Sequence, residues 1–313
     1  MWAEIYQFHN LYCAYKKARK GKHQRPEVSK FTLYERKPRL ISAAPFRDRV
    51  VHHAMMNIIE PVIDPVMYTH SYACRQNKGV HAAVNQYQHW AQQYAYVLKL
   101  DISRYFPSVD HNTLKSLLSS YITDPKCLTM LNRIVDSYHT QIVSCEQPAE
   151  QITGMPIGNL TSQFFANLYL DDLDAAIAYE MKCNAYLRYV DDLVLLSNNK
   201  QLLWKWADEI QQQLESLKLT LHPKKIQLMR TSEKVDMFGY QVSRTRRWLR
   251  NDNGYRFRRR FKSMARQYAK GKMNHEDIQP RIMSWIGHAL HGETEGLRKA
   301  IFRAVRFKRK IKN

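Results

Sequence analysis

The sequence predicts an α+β fold, in which helices and strands are mixed without a strict βαβ alternation. Two strong β segments, 94–106 and the pair of runs around Val190–Asp192, lie between segments with helical character. A second observation is the change in composition at about residue 243, after which basic residues dominate. We therefore expect a mixed helical and β region followed by a strongly basic C-terminal region.

The individual elements follow from periodicity and turn signals. The apolar spacing of 1–22 predicts a helix, the alternation of 30–43 predicts a strand or hairpin, and 46–63 reads as a helix that stops near Pro61. The later elements were assigned in the same way: a β run over 94–106 that ends at Pro107, a Gly/Pro loop over 153–160, a helix over 161–181, a hairpin around Val190–Asp192, a helix over 200–217 and strands over 225–229 and 235–243.

The composition excludes several classes of protein. With 313 residues and 44% hydrophobic residues, the chain can bury a substantial core and is not a disordered polypeptide. It has no uninterrupted apolar run long enough for a membrane span. The 5 cysteines are far apart and form no CxxC pair, which argues against a disulfide framework and favours reduced thiols in the cytoplasm. The 13 histidines lack paired metal-ligand spacing, so we interpret them as structural or phosphate-adjacent rather than as zinc ligands.

The charge is large and unevenly distributed. The formal net charge is +21, and residues 244–313 hold 21 Lys and Arg against 5 Asp and Glu, which leaves +16 in this region. A second basic block is "KKARKGKHQR" at 16–25. Aromatic residues are interleaved with the C-terminal charges, as is typical of a folded basic surface rather than of a disordered tail. Nucleic acid is the partner that this pattern favours, with a membrane surface as the weaker alternative.

Two adjacent carboxylates interrupt the apolar run "LRYVDDLVLL". Asp191 and Asp192 repel one another in a half-buried setting, so a compensating feature is expected. One interpretation is an ordinary hairpin turn. The other is a metal site, because a tight hairpin could hold both carboxylates where a divalent cation cancels their repulsion.

A third acid, Asp101, ends the apolar run "VLKLD". Taken alone, Asp101 is explained equally well by a structural role, as a helix N-cap or turn residue after the strand, and by a role in metal binding. Together with Asp191 and Asp192 it makes two acidic stations at the ends of strong β segments, which is the arrangement that two-metal phosphoryl transfer requires. The acidic cluster of Asp171, Asp172 and Asp174 lies in a helical pattern instead, and we expect a solvated helix face there.

Five motifs then occur in a fixed order within about 140 residues: "LDISRYF", "MPIGNLTSQ", "YVDD", "LTLHPKKIQL" and "FGY". In this order and spacing they resemble the reverse transcriptases. Upstream, "KPRLISAAPFRDRVV" and "SYACRQNKGVHAA" resemble the finger motifs of the group II intron and bacterial branch, so that the resemblance covers roughly residues 35–243. Within this branch the chain is similar to the reverse transcriptases of diversity-generating retroelements, because of "IGNLTSQ" and because a short basic region follows the motifs without a maturase or endonuclease region.

This resemblance implies a right-hand polymerase fold: fingers over 1–93, a palm over 94–243 with a finger-like insertion at about 115–155, and a basic helical thumb over 244–313. It implies that Asp101 and Asp191 bind two Mg²⁺ ions directly, with Mn²⁺ as a substitute, and that Asp192 is more peripheral. It also implies that the backbone of Ile102 lies near the metal and the triphosphate.

The resemblance assigns further roles around the incoming nucleotide. Phe106 matches the steric gate that excludes a ribose 2′-hydroxyl, although the residue alone favours a core aromatic. Arg39 matches the arginine that grips the dNTP triphosphate, with Lys37 beside it. Lys225, or its neighbour Lys224, matches the lysine proposed to protonate pyrophosphate.

The loop "MPIGN" departs from the family pattern. Gly158 allows the backbone to approach the nascent base pair, whereas Ile157 replaces the usual Gln, whose amide hydrogen-bonds near the template nucleotide. We hypothesise that the loss of this hydrogen bond loosens template selection at adenines, the alternative being a harmless packing variant. Weaker matches to nucleic-acid-binding residues complete the set: Arg75, Lys78, Tyr189, Arg258 and Arg259.

The implied function is an RNA-directed DNA polymerase that makes error-prone cDNA for mutagenic retrohoming in a bacterial, archaeal or phage-encoded system. The implied partners are template RNA, the RNA–DNA hybrid, dNTPs and a small basic accessory protein that forms a helical oligomer. The alternatives are another bacterial reverse transcriptase, of retron, group II-related or phage-defence type, and a non-catalytic RNA-binding scaffold. A scaffold would have no need for the three acids and Arg39.

Overall fold

A computed structural model describes residues 1–20, 30–34, 38–42, 44–139 and 152–309, with 30–34 and 38–41 described by their backbone alone. The described residues fall into two units. The first contains those within Met1–Gly79, Leu98–Leu195 and Lys200–Gln227. The second contains Val80–Val97, Leu196–Asn199 and the described residues from Leu228 onward.

The strands of the described chain form three sheets. Their bounds are β1 Lys30–Tyr34, β2 Pro38–Ser42, β3 Tyr96–Asp101, β4 Tyr186–Tyr189, β5 Asp192–Ser197, β6 Gln227–Arg230, β7 Val235–Met237, β8 Tyr240–Val242 and β9 Arg247–Leu249. β1 and β2 form a hairpin, a four-stranded sheet has the order β4-β5-β3-β6, and a three-stranded sheet has the order β7-β8-β9.

Helices supply most of the remaining described structure. Their bounds are α1 Trp2–Ile5, α2 Phe8–Arg19, α3 Phe46–Ile63, α4 Val80–Ala91, α5 Tyr105–Ser108, α6 His111–Tyr121, α7 Pro125–Asp136, α8 Leu160–Leu168, α9 Asp171–Ala175, α10 Lys200–Ser216, α11 Asn251–Ala269, α12 His275–Ala289 and α13 Glu295–Arg303. Short helical turns also occur at Asp64–Val66, Ala176–Glu180 and Pro223–Lys225. Among the helices of the described ranges, none has both the length and the apolar character needed to cross a bilayer.

The core of the first unit is built on strands that are apolar on both faces. In the part of β5 that belongs to this unit, Leu193, Val194 and Leu195 are all buried, as expected of a strand covered on both sides of a sheet. The β3 residues Leu98 and Leu100 are buried as well. α2 packs on α3 through the small side chains Ala14 and Ala18, which let the two helix backbones approach closely. Asp101 is the last residue of β3, and Asp192 is the first residue of β5.

The second unit combines a small antiparallel sheet with the C-terminal helices. α11 buries Phe257, Phe261 and Met264, which are spaced to lie on one helix face. The indole of Trp285 stacks on the Phe257 ring with centroids 3.9 Å apart and planes at 1°. The predicted helical character of this basic region is therefore observed, and the aromatic residues interleaved with its charges include core residues.

Several predicted elements differ from the structure in their extent. The single helix over 1–22 is divided into α1 and α2. The β run over 94–106 ends at Asp101, and Pro107 lies inside α5. The single helix over 161–181 is divided into α8, α9 and a π-helical turn. The strand over 235–243 is a hairpin, because Phe238 and Gly239 both take positive φ values, 47° and 98°, and make the two-residue turn that reverses the chain.

Candidate active site

The hairpin that carries the paired acids is the first component of the site. Tyr189 pairs with Asp192 at the end of the β4–β5 ladder, so Val190 and Asp191 form a two-residue turn. Val190 has a φ of 57°, a left-handed conformation that a β-branched residue rarely adopts. Such a conformation costs about 1–3 kcal/mol and persists only where the surrounding structure holds it in place. The hairpin tip is therefore strained.

Arg188 is the residue that holds this tip from behind. Its side chain is fully buried, and its guanidinium donates to both carboxylate oxygens of Asp174, with Nη2–Oδ2 at 2.6 Å and Nε–Oδ1 at 2.8 Å. Nη1 donates to the Val190 carbonyl at 3.1 Å, and Nη2 to the Asn167 carbonyl at 3.1 Å. One buried cation thus connects the strained turn with the helical segments beneath it.

This network corrects the prediction of a solvated acidic helix face. Asp174 is completely buried and also accepts a hydrogen bond from the Tyr186 hydroxyl at 2.6 Å. Asp171 is buried and accepts from the Tyr68 backbone amide at 2.8 Å, and only Asp172 is exposed. A buried carboxylate is tolerated because it is paired and hydrogen-bonded. Sequence reasoning missed Arg188, although a charged residue inside the apolar run of β4 was a signal that it needed a buried partner.

Asp101 lies next to the hairpin tip, at the end of β3. The amide of Ile102 donates to the carbonyl of Asp191 at 3.0 Å, so the residue after the first acid is bonded directly to the second acid's backbone. On its other side, the Asp101 carbonyl accepts from the His222 amide at 2.8 Å. These backbone bonds bring together Asp101, Ile102 and Asp191, as the sequence predicts.

Lys225 contributes a positive charge beside these acids. Its Nζ lies 2.7 Å from Oδ1 and 2.6 Å from Oδ2 of Asp101. Lys225 is the last residue of the helical turn Pro223–Lys225. His222, which precedes this turn, donates its backbone amide to the Asp101 carbonyl and so holds the segment beside β3. Lys224 has an exposed side chain. Of the two candidate lysines, Lys225 is the one at the acids.

The electrostatics of the group are those of crowded carboxylates. Burial, and after it the charges of Asp191 and Asp101, raise the pKa of Asp192 to about 6, while Lys99 and Lys225 oppose the shift. The ionised form is therefore poorly stabilised by the protein alone. A bound cation would relieve this repulsion.

The donor types fit a divalent cation, because three carboxylates with a nearby backbone carbonyl are the hard oxygen ligands that Mg²⁺ and Mn²⁺ prefer. Within the part of the chain that the structure describes, no group of three or more His, Cys, Asp or Glu side chains is arranged to hold a metal ion. The Lys225 ammonium is bound to both oxygens of Asp101. Binding of a cation there therefore requires this ion pair to open or rearrange.

The loop around Gly158 is tied to two other elements. The Ile157 carbonyl accepts from the Ser42 amide at 2.9 Å, and Asn159 Oδ1 accepts from the Ala44 amide at 2.9 Å. The Phe106 carbonyl accepts from the Met155 amide at 2.8 Å. Ile157 and Phe106 are half-buried, and Gly158 is exposed with a φ of 122°, which favours glycine. The structure therefore joins Phe106, Ile157 and the end of β2 through one loop.

Two basic residues, Arg39 and Lys37, are predicted to bind the triphosphate. Arg39 lies in β2 opposite Leu33, a position given by its backbone. Lys37 lies outside the described residues.

The five residues predicted to contact nucleic acid differ in their burial and in their hydrogen-bond partners within the protein. The Arg75 guanidinium donates to the Asp64 side chain, to the Asp64 carbonyl and to the Tyr68 carbonyl, each at 2.6 Å. Its side chain is only 5% exposed. The Arg75 guanidinium is therefore bonded within the protein, and a phosphate would have to replace these partners. Lys78 donates to the Thr69 carbonyl at 2.7 Å. Tyr189 is half-buried beside the hairpin tip, and burial raises the pKa of its hydroxyl. Arg258 and Arg259 are exposed on α11.

Comparison with known proteins identifies the family to which the chain belongs. The family model "Reverse transcriptase (RNA-dependent DNA polymerase)" matches residues 21–242, and the chain belongs to this family. Protein YkfC of Escherichia coli (strain K12) is 25% identical over 170 residues, which are 53% of this chain and 40% of that protein. The group II intron-encoded protein LtrA of Lactococcus lactis subsp. cremoris is 25% identical over 139 residues, 44% of this chain and 23% of that protein. The chain thus spans less than half the length of either relative.

Solved structures with the same fold include telomerases. Apo telomerase from Candida tropicalis matches with a TM-score of 0.54 and 11% identity, over 79% of this chain and 53% of that chain. Telomerase from the same organism in complex with a TWJ fragment of telomeric RNA matches with a TM-score of 0.55 and 10% identity, over 90% of this chain and 55% of that chain. At these identities the likeness concerns the fold alone. The predicted α+β, right-hand polymerase fold is confirmed.

Proposed function

We propose that the chain is an RNA-directed DNA polymerase whose chemistry takes place at Asp101, Asp191 and Asp192. The observation that carries this proposal is the hydrogen bond from the Ile102 amide to the Asp191 carbonyl, which joins two acidic stations 90 residues apart in a chain of the reverse transcriptase family. In this proposal residues 1–93 act as fingers, 94–243 as the palm and 244–313 as a basic thumb.

The acids would hold two divalent cations, with Asp101 and Asp191 as direct ligands, Asp192 more peripheral and the Ile102 backbone nearby. Bound Mg²⁺ or Mn²⁺ would supply activation of the primer 3′-hydroxyl and stabilisation of the charge that develops on the phosphates. Lys225 would leave Asp101 and donate a proton to the pyrophosphate leaving group. Its position 2.6 Å from Asp101 Oδ2 supports this role, because it places the ammonium beside the acids that would hold the cations.

Selection of the nucleotide would depend on Arg39, Lys37, Phe106 and Gly158. Arg39 would bind triphosphate oxygens in bidentate geometry, with Lys37 assisting. Phe106 would pack against the sugar and exclude a 2′-hydroxyl. The bond between the Ile157 carbonyl and the Ser42 amide supports this grouping, since it links the Gly158 loop to the strand that carries Arg39.

Primer extension tests the proposed activity. The purified chain is incubated with a DNA primer on an RNA template, with Mg²⁺ and either dNTPs or rNTPs. We expect a DNA product that resists RNase and copies the RNA template. A chain that binds the primer–template but extends it with neither Mg²⁺ nor Mn²⁺ is a nucleic-acid-binding scaffold, and the proposal is then wrong.

We further propose that the chain acts in a diversity-generating retroelement and copies adenines inaccurately. Ile157 supports this proposal, because an aliphatic side chain offers shape but no hydrogen bond at the template nucleotide, and hydrogen bonds discriminate more strongly. Sequencing of cDNA from the Ile157→Gln variant tests it, with Ile157→Leu as the aliphatic control. We expect fewer errors at template adenines for Gln and an unchanged spectrum for Leu. Equal adenine errors in both variants would contradict the role of Ile157.

The proposed partners are a structured template RNA and a small basic accessory protein that forms a helical oligomer. A chain with a net charge of +21 repels a basic partner, so we expect the two to assemble around RNA. Gel filtration of the purified pair with and without template RNA tests this expectation. A complex that is stable without RNA would instead indicate docking through apolar surface.

A further inference from the structure

The N-terminal helices expose a concentrated group of large apolar side chains. Tyr6, Phe8, Leu11 and Tyr12, here called the N-terminal aromatic face, are 57%, 83%, 37% and 46% exposed. They lie within seven consecutive residues of the sequence. Single exposed apolar side chains are normal on a protein surface, whereas a contiguous group of this kind marks a binding surface. None of the motifs of the proposed polymerase site includes these residues.

The N-terminal aromatic face is exposed because the opposite side of α2 packs against the protein. Ala14 and Ala18 are buried where α2 packs on α3. The Asn10 side chain donates to the carbonyls of Ile5 and Ala54, each at 2.9 Å, and so ties α2 to α1 and to α3. The aromatic rings are therefore exposed because the other face of the helix is used in packing.

The rings are arranged with cations in register. Phe8, Tyr12, Lys16 and Lys20 follow one another at intervals of four residues, which places them along one side of α2 and its end. The Phe8 and Tyr12 rings are parallel within 6°, with centroids 6.1 Å apart. The Lys16 ammonium lies 4.3 Å from the Tyr12 ring centroid. Residues 1–20 contain 4 Lys and Arg against one acid, Glu4.

This combination has the chemistry of a single-strand binder. Aromatic faces accept stacked bases whatever their sequence, and adjacent lysines neutralise the phosphates. A protein partner would need an apolar patch with acidic groups placed opposite the lysines, whereas a nucleic-acid strand supplies stacking faces and phosphates at regular spacing. We propose that the N-terminal aromatic face binds single-stranded nucleic acid, with bases stacked on Phe8 and Tyr12 and phosphates at Lys16 and Lys20. For a chain of this family the natural source is template RNA that has not yet entered the active site.

Fluorescence anisotropy with the full chain and a labelled, unstructured RNA of about 12 nucleotides tests this proposal. Loss of one stacked ring is expected to weaken binding at least about fivefold, so Phe8→Ala with Tyr12→Ala is expected to weaken it about 25-fold or more. Tyr179→Ala is the matched control, because Tyr179 is a tyrosine of the same unit that is 71% exposed. It is expected to bind as the unaltered chain does.

Two further variants separate stacking from simple apolar contact and from charge. Phe8→Leu with Tyr12→Leu keeps apolar surface without an aromatic face and is expected to lose as much affinity as the alanine pair, whereas the two tryptophan substitutions are expected to retain it. Lys16→Gln with Lys20→Gln is expected to reduce the slope of log affinity against log salt by about 1.4. A single-stranded DNA of the same sequence shows whether the sugar contributes.

The outcomes are distinct. Unchanged RNA affinity of the alanine pair overturns the proposal, and so does wild-type affinity of the leucine pair. Unchanged RNA binding together with loss of self-association or of binding to a second protein would make the face a protein-docking surface instead. The alanine pair is expected to extend a short, preassembled primer–template normally. If the unaltered chain extends no primer while its RNA binding follows the expected pattern, the polymerase proposal fails and this one stands.

Discussion

Arg188 and Asp174 form an ion pair in which both side chains are completely buried, with Nη2 and Oδ2 2.6 Å apart. The same guanidinium donates to the carbonyl of Val190, the residue with positive φ at the hairpin tip. The pair therefore connects the interior of the first unit with the segment that presents Asp191 and Asp192. A buried ion pair contributes little net stability, but loss of one partner leaves an uncompensated charge.

Removal of Arg188 is predicted to be strongly destabilising. Arg188→Met leaves the Asp174 carboxylate buried without its cation, so the free energy of unfolding is expected to fall by about 3–5 kcal/mol. Arg188→Met combined with Asp174→Leu removes both charges and is expected to recover much of this loss. Urea denaturation followed by circular dichroism provides the measurement.

The matched control is an exposed pair of the same unit. Lys205 and Glu209 are 3.6 Å apart with side chains 71% and 35% exposed, so Lys205→Met is expected to change the free energy of unfolding by less than about 1 kcal/mol. Equal small effects of Arg188→Met and Lys205→Met would show that the buried pair does not support the hairpin. Primer extension by the double variant should remain impaired, because the Val190 carbonyl still lacks its donor.

Asp192 is predicted to trade stability for function. Burial, then the charges of Asp191 and Asp101, raise its pKa from 3.8 to about 6. Above pH 6 the folded chain must therefore hold a carboxylate that is ionised at a cost. Asp192→Asn is expected to raise the free energy of unfolding at pH 8 in EDTA by about 3 kcal/mol. Its polymerase activity is expected to fall.

The sign of the pH dependence follows from the raised pKa. Between pH 6 and 4 the folded wild-type chain takes up the proton before the unfolded chain does, so the advantage of Asp192→Asn shrinks as the pH falls through this window. The exposed neighbour Asp172 supplies the control substitution Asp172→Asn, which should give no such trend. A constant difference between wild type and Asp192→Asn from pH 8 to pH 4 would contradict the burial argument.

The two adjacent lysines are predicted to differ sharply. Both side chains are exposed, but Lys225 is the one whose ammonium contacts both oxygens of Asp101. If Lys225 acts as the general acid toward pyrophosphate, Lys225→Met should lower kcat for primer extension by about 10²-fold or more, and Lys224→Met should change it little. Single-turnover extension measures both variants. Similar rates for the two would remove Lys225 from the mechanism.

Phe106 is predicted to control the choice of sugar. Its ring is half-buried, in contact with the Tyr105 ring at a centroid distance of 5.7 Å, and its carbonyl is bonded to the Gly158 loop through Met155. Phe106→Ala should raise the ratio of rNTP to dNTP incorporation by at least about tenfold, because the space for a 2′-hydroxyl opens. If the ratio does not move, Phe106 is a packing residue only.

The sequence was sufficient to predict those parts of the site that are local. The apolar runs predicted the strands that carry Asp101 and the paired acids, although the predicted run over 94–106 extends past Asp101, where β3 ends. The order of the family motifs, rather than local pattern, assigned Asp101 and Asp191 to one site. The hairpin around Val190 was likewise predictable from two β runs separated by a short polar interval.

The remaining parts depend on partners that are distant in the sequence. Asp174 and Asp172 cannot be distinguished by the helical pattern of the sequence. Asp174 is buried where it pairs with Arg188 of β4, whereas Asp172 is exposed. Arg75 was expected at phosphates because it is a cation in a finger motif, yet Asp64 and two backbone carbonyls occupy its donors. Propensity and spacing do not reveal which charge has a buried counter-charge.

The most direct measurement of the central claim is primer extension on an RNA template by the single variants Asp101→Asn and Asp191→Asn, with Asp172→Asn as control. If these acids hold the cations that activate the primer hydroxyl, each of the first two variants should lose about 10³-fold or more in rate while still binding the primer–template. Asp172→Asn should extend normally. Extension by Asp101→Asn and Asp191→Asn at the unaltered rate would contradict the account.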